Sequence, residues 1–251
     1  MRFPRIYHPR PMRCGECLLL DAAASRHILR VLRLQPGDPL SLFDGEGKAF
    51  RATLTTQEDG SAQVYIDAVL SQDPESPLQV TLMQGISRGE RMDYSLQKSV
   101  ELGVNRIVPL ITRRCGVKLN GQRLEKRLRH WQAVVTHACE QCGRSRLPAV
   151  TAPVTLQAVC DDPAIHDPPH PRPVSRLVLD PDSRQGLASL SPTPTAVLLI
   201  IGPEGGLDAS EISLLTTRAA FRRIRLGPRT LRTETAGVAA LAALQTLWGD
   251  F

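Results

Sequence analysis

The sequence predicts an α/β protein in two parts, a small β-rich N-terminal unit and a larger C-terminal unit in which strands and helices alternate. Three observations carry this. From residue 80 onward, apolar runs of strand length alternate with segments of helical period. Two apolar runs near the C-terminus, residues 197–201 and 224–226, each break into a loop rich in Gly and Pro that is followed by a helical pattern. Residues 40–69 read as a hairpin and a further strand separated by turn residues.

Taken in order, RIYHP (residues 5–9) is held extended by its prolines. Residues 25–34 fit a short helix with Ile28, Leu29 and Leu32 on its apolar face and Arg26, Arg30 and Arg33 at i, i+4 and i+7 on the other. Strands follow at 40–43, 49–54 and 62–69, with Asp44-Gly45-Glu46-Gly47 as the hairpin turn. The acidic, proline-bearing DPESP (73–77) marks the division into domains 1–73 and 74–251. The second part then reads as a strand at 80–83 and a helix at 91–102 stopped by Gly103. A strand at 107–111 precedes a long helix at 124–142 with Leu124, Leu128, Trp131 and Val135 inward, stopped by Gly143. DDPAIHDPPHPRP (161–173), with His166 and His170, has no apolar period and reads as an irregular surface loop. A strand at 177–179 ends at Asp180-Pro181, and an Ala/Leu-rich helix closes the chain near Trp248.

Composition sets bounds. The chain has 251 residues, 42% of them hydrophobic, which is ample for one large or two medium cores. No apolar run approaches the ~20 residues of a membrane span, and the start MRFPRIYHPRPMR lacks a signal-peptide core, so a soluble cytoplasmic protein is expected. The net charge of +6 is unevenly placed: residues 1–33 carry seven Lys/Arg against two Asp/Glu, and residues 74–147 carry thirteen against six. Clustered positive charge points to a polyanion, most often nucleic acid, although any single basic run is more often a solvated face. Few aromatic residues argue against a stacking platform for single strands. Two C-x-x-C pairs, Cys14/Cys17 and Cys139/Cys142, have the spacing of zinc ligands, but they lie far apart and the second falls late in a helix. No metal is expected, and the thiols read as buried or half-buried in a reducing compartment.

The chemistry concentrates in GPEGG (202–206) and in LGPRTLRTET (226–235). Asp208-Ala209-Ser210-Glu211 has capping-box spacing and starts a helix after the first loop. Neither loop matches the dinucleotide or phosphate-loop fingerprint, so the glycines alone are as well explained as turn formers. Leu231-Arg232-Thr233-Glu234-Thr235 adds ionisable groups at a helix start directly after a glycine turn, where polar side chains cap the helix or face a ligand. SRGER (87–91) and TRR (112–114) also follow strand ends, the usual functional edge of an open α/β sheet.

The chain resembles the small-subunit ribosomal RNA uridine-N3 methyltransferases, the RsmE family of the SPOUT class. The resemblance rests on RIYHP, RHILRVLR, SRGERMDYSLQKSVELGV, RRCGVKL, ACEQCGR, LLIIGPEGGL and LGPRTLRTETA, in that order along nearly the whole length. It implies an N-terminal PUA-like β-barrel that binds RNA and a C-terminal α/β domain with a trefoil knot. It also implies a homodimer, S-adenosylmethionine as methyl donor, and a uridine of 16S rRNA, within the 30S subunit, as target. Composition and periodicity show none of these, and read blind they argue against a knot.

By position, the resemblance implies a cofactor pocket of Leu179, Ile201, Gly202, Pro203, Glu204, Gly205, Leu226, Gly227, Leu231, Arg232 and Thr233. Arg232 is the expected cation near the target base and Glu234 the carboxylate that orients or deprotonates it; a helix-capping acid explains Glu234 as well. RNA contacts are expected from Arg5, His8, Arg26, Arg30 and Arg33, and nearer the catalytic edge from Arg88, Arg91, Arg113 and Arg114. Two rivals stand beside this: a non-catalytic ribosome-assembly factor, and a methyltransferase of the same class acting on tRNA. The intact glycine loops speak against the first and the full motif set against the second.

Overall fold

The computed structural model describes residues 3–58, 60–71, 75–117, 120–162, 165, 174–190 and 193–251. His166 and His170, most of the proline-rich loop and the Asp73-Pro74 boundary lie outside the described residues. The chain divides into two compact units: Met1–Pro74 with Thr136–Leu147, and Glu75–Val135 with Pro148–Phe251.

The first unit is a five-stranded sheet of β1 (Arg5–Tyr7), β2 (Cys17–Leu19), β3 (Pro39–Phe43), β4 (Ala49–Glu58) and β5 (Ser61–Leu70), in the order β1-β3-β4-β5-β2. Only the β1–β3 pair is parallel. Ile6, Leu20, Ile28, Leu40, Leu42, Leu54, Val64 and Ile66 form its core. The helix expected over 25–34 begins earlier and is not regular. Asp21 caps α1 (Ala22–Arg26) by accepting the N–H groups of Ala23 and Ala24, both at 2.8 Å. A π-helical stretch, His27–Leu32, then ends at Arg33 in the left-handed region. The wider π-turn breaks the i, i+4, i+7 row, yet Arg26, Arg30 and Arg33 all remain exposed.

Two further expectations in this unit are corrected. Cys14 and Cys17 are exposed: Cys14 lies in the turn before β2, and Cys17 opens that edge strand, which turns only Leu18 inward. His8, expected on an RNA-facing surface, is buried at 4% exposure and both ring nitrogens lack a hydrogen-bond partner. Burial, with Arg10 nearby, lowers its pKa against the opposing pull of Asp21 and Glu16. Arg5, the other expected contact of the arm, donates to Ser145 Oγ (2.7 Å) and to the Arg144 carbonyl (3.2 Å), and lies over the Phe43 ring.

The polar helix end ACEQCGR has a structural task here. Glu140 accepts the Tyr7 N–H at 3.0 Å through one oxygen and bonds His137 Nδ1 at 2.9 Å through the other. Its carboxylate thus fixes β1 against the 136–147 segment.

The second unit is a wholly parallel sheet. Its elements are β6 (Gln79–Gly85), α2 (Glu90–Glu101), β7 (Arg106–Ile111), α3 (Gly121–Cys142, its residues from Thr136 on counted in the first unit), β8 (Ala149–Val150), β9 (Val154–Thr155), α4 (Leu156–Asp161), β10 (Val174–Leu179), β11 (Ala196–Ile201), α5 (Ala209–Arg218), β12 (Arg222–Ile224) and α6 (Thr233–Trp248). Strand order is β12-β10-β11-β6-β7-β8, with β9 also on β7. All six residues of β11 are buried, as a central parallel strand covered on both faces requires. Leu198 and Ile200 pack with Leu156, Val159 and Leu215 on one side, and Gly237 of α6 lies close to Ile201 on the other. Trp131 and Val135 of α3 are buried as expected, whereas Leu124 and Leu128 are only half-buried. The last strand stops at Ile224, two residues before the expected end, which leaves Leu226 in the following loop. Among the described residues, no helix is long and apolar enough to cross a membrane.

Glu140→Ala should lower unfolding stability by about 1–2 kcal/mol, the size of a lost hydrogen bond to a charged group. Glu140→Gln, which keeps a carbonyl acceptor for Tyr7 N–H, should recover part of that in urea denaturation. Equal stability of both variants and the wild type would contradict the tether.

Candidate active site

In a parallel sheet every strand ends at the same edge, so the loops after β6, β7, β10, β11 and β12 converge. A cavity of about 580 Å³ lies at this edge. Its lining includes Leu179, Ile201, Gly202, Pro203, Glu204, Gly205, Leu226, Gly227, Leu231, Arg232 and Thr233, the residues the family resemblance implied for a pocket, and also Arg91, Arg114 and Glu234. It also includes Asp180 and Arg229, from stretches the sequence had marked, and residues it did not point to, chiefly Asp182, Ile212 and Arg225. Arg88 and Arg113 do not line it.

The loops are held by specific bonds. Gln84, fully buried at the end of β6, donates from Nε2 to the Gly85 carbonyl (3.0 Å) and to Thr233 Oγ1 (2.9 Å). Thr233 Oγ1 donates in turn to the Gly202 carbonyl at 2.6 Å. One chain of donors therefore joins β6, the loop after β11 and the first turn of α6. Gly85 permits the closeness: a Cβ there would stand 2.4 Å from the Pro203 nitrogen. Gln84 escaped the sequence reading, although a Gln before a Gly inside an apolar strand is a visible signal of a buried polar contact.

Carboxylates fasten the rim. Glu204 accepts the Arg88 N–H at 2.9 Å and Arg91 Nη1 at 3.3 Å. Burial raises its pKa, but the Arg88 and Glu204 backbone N–H groups and the Arg91 guanidinium outweigh this and hold it below the ordinary value. Glu211, at 5% exposure, accepts the Arg113 N–H at 2.8 Å and completes a capping box with Asp208. Asp208, bonded by Ser210 and the Glu211 N–H and faced by Arg113, is held at about 2. Arg113 Nη1 reaches Asp208 at 3.3 Å, and Arg114 donates to the Gly205 carbonyl at 2.9 Å. Three of the arginines expected to meet RNA thus hold the site's own loops. The fourth, Arg88, lies with its guanidinium against Gly116.

Arg232 and Glu234 differ in their freedom. Arg232 precedes the first turn of α6, is exposed, and its guanidinium has no partner among the described residues. Glu234 Oε1 lies 4.0 Å from Arg91 Nε, while Oε2 is buried without a hydrogen bond. Among the described residues, no group of three or more His, Cys, Asp or Glu converges as a metal site.

The fold and this edge define an RNA methyltransferase. Residues 74–245 match the model of an RNA methyltransferase domain and residues 20–66 that of an RNA methyltransferase PUA domain. The chain is 41% identical, with a TM-score of 0.89 over all of both chains, to a ribosomal RNA small subunit methyltransferase E from Neisseria gonorrhoeae bound to S-adenosyl methionine. It is 40% identical, with a TM-score of 0.92 and equal coverage, to a putative methyltransferase from Legionella pneumophila in complex with the bound cofactor SAM. A ribosomal RNA small subunit methyltransferase E of Buchnera aphidicola is 33% identical over 99% of this chain and 98% of its own. The chain belongs to the ribosomal RNA small subunit methyltransferase E family.

Thr233→Val keeps the shape of the side chain but strands the Gln84 amide and the Gly202 carbonyl. It should cost about 2–3 kcal/mol of unfolding stability, with Thr233→Ser near wild type; a Val variant as stable as the Ser variant would contradict the bridge. The depressed Glu204 pKa gives a pH dependence with a definite sign. Its contribution is full above the ordinary value of 4.5 and is lost as pH falls through the lower folded value. Glu204→Gln should flatten that part of the acid limb, and an unchanged limb would count against the pairing.

Proposed function

We propose that this protein transfers the methyl group of S-adenosylmethionine to N3 of one uridine of 16S rRNA, acting on the 30S subunit as a cytoplasmic homodimer. Residues 1–73 are read as the PUA-like RNA-binding β-barrel domain and 74–251 as the SPOUT methyltransferase domain. The observation that carries the reading is the convergence of the glycine loops after β11 and β12 and the end of β10 on one cavity.

The lining suits such a cofactor. Leu179, Ile201, Pro203, Leu226 and Leu231 offer apolar walls, and Gly202, Gly205 and Gly227 bring backbone polar groups to the surface. Gly227 has φ +96° and a Cβ on it would meet no protein atom within 4 Å, so its open side is left for a ligand. Glu234 lines the cavity and keeps one carboxylate oxygen, Oε2, buried without a hydrogen bond. Glu204 and Thr233, already bonded across the loops, set the shape of the pocket. When bound, the cofactor supplies a sulfonium-activated methyl group.

The rest of the chemistry falls to the chain's own residues. Uridine N3 carries a proton and is a poor nucleophile until that proton leaves. A guanidinium beside the ring favours the N3 anion, and Arg232 is free for this role. Glu234, with one oxygen near Arg91 and the other buried without a partner, is the carboxylate we assign to orient the base and accept the proton. RNA contacts from Arg26, Arg30 and Arg33 are supported by their exposure on α1 and its π-helical continuation.

The knotted threading draws support from topology. β12 lies at the sheet edge beside β10, yet the chain returns from it so that Thr233 bonds Gly202 and Gln84 near the sheet centre. Exposed Tyr94, Leu247 and Phe251, on and just beyond the packed α2–α6 pair, support a dimer contact.

The reading is tested with labelled S-adenosylmethionine and 30S subunits that lack the modification. A single 3-methyluridine in 16S rRNA is the expected product. Tight 30S binding without transfer would favour an assembly factor, and label confined to tRNA would overturn the substrate. Arg232→Ala should slow transfer roughly 10²-fold; a wild-type rate would remove Arg232 from the chemistry.

A further inference from the structure

The charges lining the cavity are unequally matched. Asp180 is paired with Arg223, Glu204 with Arg91, and Glu234 has Arg91 as its near cation. Arg114 is bonded to the Gly205 carbonyl. Among the described residues this leaves Arg225, Arg229 and Arg232 without side-chain partners, against Asp182 as the unpaired acid of the lining. Arg225 and Arg229 are both exposed on the β12–α6 loop, the loop that also supplies Leu226, Gly227 and Leu231 to the cavity. The backbone beneath them is anchored: the Arg225 N–H donates to the Gln185 carbonyl at 2.8 Å, and the loop ends at the bridged Thr233. Two guanidiniums are therefore presented at the cavity lip from a loop anchored at its two ends, with no carboxylate among the described residues engaging either.

We propose that Arg225 and Arg229 grip the backbone phosphates flanking the target nucleotide, the task the sequence gave to Arg88, Arg91, Arg113 and Arg114. The assignment rests on the functional reading above. An RNA strand offers one negative charge per nucleotide, and a guanidinium matches a phosphate with paired N–H donors. The carboxylate of the methyl donor is the other anion available, but it is a single charge already balanced by an amino group. Two unmatched cations beside the free Arg232 exceed what it needs. Phosphate contacts position the target without reading its base.

The experiment compares wild-type protein with the Arg225→Ala/Arg229→Ala and Arg225→Lys/Arg229→Lys double variants, by equilibrium binding to 30S subunits across a salt series. The Ala pair should weaken binding roughly tenfold per residue and reduce the slope of log K against log salt by about two. The Lys pair should restore the slope, because the slope counts charges. S-adenosylmethionine affinity, measured by calorimetry on the same proteins, should stay within about twofold of wild type. A wild-type slope in the Ala pair overturns the assignment, as does loss of cofactor affinity with the slope intact, which would give these arginines to the cofactor carboxylate. Failure of the wild type to bind 30S overturns it as well. Since the readout is binding, absence of methyl transfer by the wild type would sink the proposed reaction and leave the slope result to judge the arginines.

Discussion

Thr233 Oγ1 stands between a buried amide donor and a backbone carbonyl, and the geometry of the cavity depends on it. Gln84 on one side belongs to a strand near the middle of the sheet, Gly202 on the other to the loop after β11, and Thr233 itself to the first turn of the last helix. A parallel sheet brings loops to a common edge but does not set their separation. The hydroxyl sets it, because donating to Gly202 while accepting from Gln84 leaves it one orientation. Gly85 makes the approach possible by carrying no side chain where Pro203 arrives. The long-range bonds of Glu204 and Glu211 then extend the same fastening to the loops after β6 and β7.

This fastening divides the arginines of the edge into two groups. Arg91, Arg113 and Arg114 spend their donors on the protein, holding loops whose carboxylates and carbonyls would otherwise stand open. Arg225, Arg229 and Arg232 have no such duty. Structure and chemistry are thereby separated along the chain: acids and arginines between residues 88 and 211 build the rim, and the loop from 225 to 232 faces outward. Glu234 stands beside the first group, with one oxygen 4.0 Å from Arg91 and the other buried and unbonded.

The fold was legible where local rules suffice. The capping box at Asp208 and Glu211 forms as its spacing implies, and Gly103 and Gly143 end their helices with positive φ. The glycine loops were legible as a convergence because strand-then-loop order in a parallel sheet sends them to one edge. Less legible were features that depend on partners far along the chain. Arg113 is separated from Asp208 by 95 residues, and Arg5 from Ser145 by 140, so nothing local marks them as already engaged. His8 looks like an arm residue until the fold buries it. The π-helical stretch after Arg26 has no compositional signature, and β2, β8 and β9 are too short for a period to show. Gln84 stands in the strand QVTLMQG, where its position before Gly85 was visible but its partner, Thr233, lies 149 residues away.

The central claim is that the cavity at the strand ends holds S-adenosylmethionine, and calorimetric titration of the cofactor into the wild type and Gly227→Val tests it most directly. Gly227 lines the cavity, and a side chain there would strain a backbone at φ +96°. The account predicts one saturable site per chain in the wild type and loss of that binding in a Gly227→Val protein that remains folded. Equal affinity in the two proteins would place the cofactor elsewhere and contradict the account.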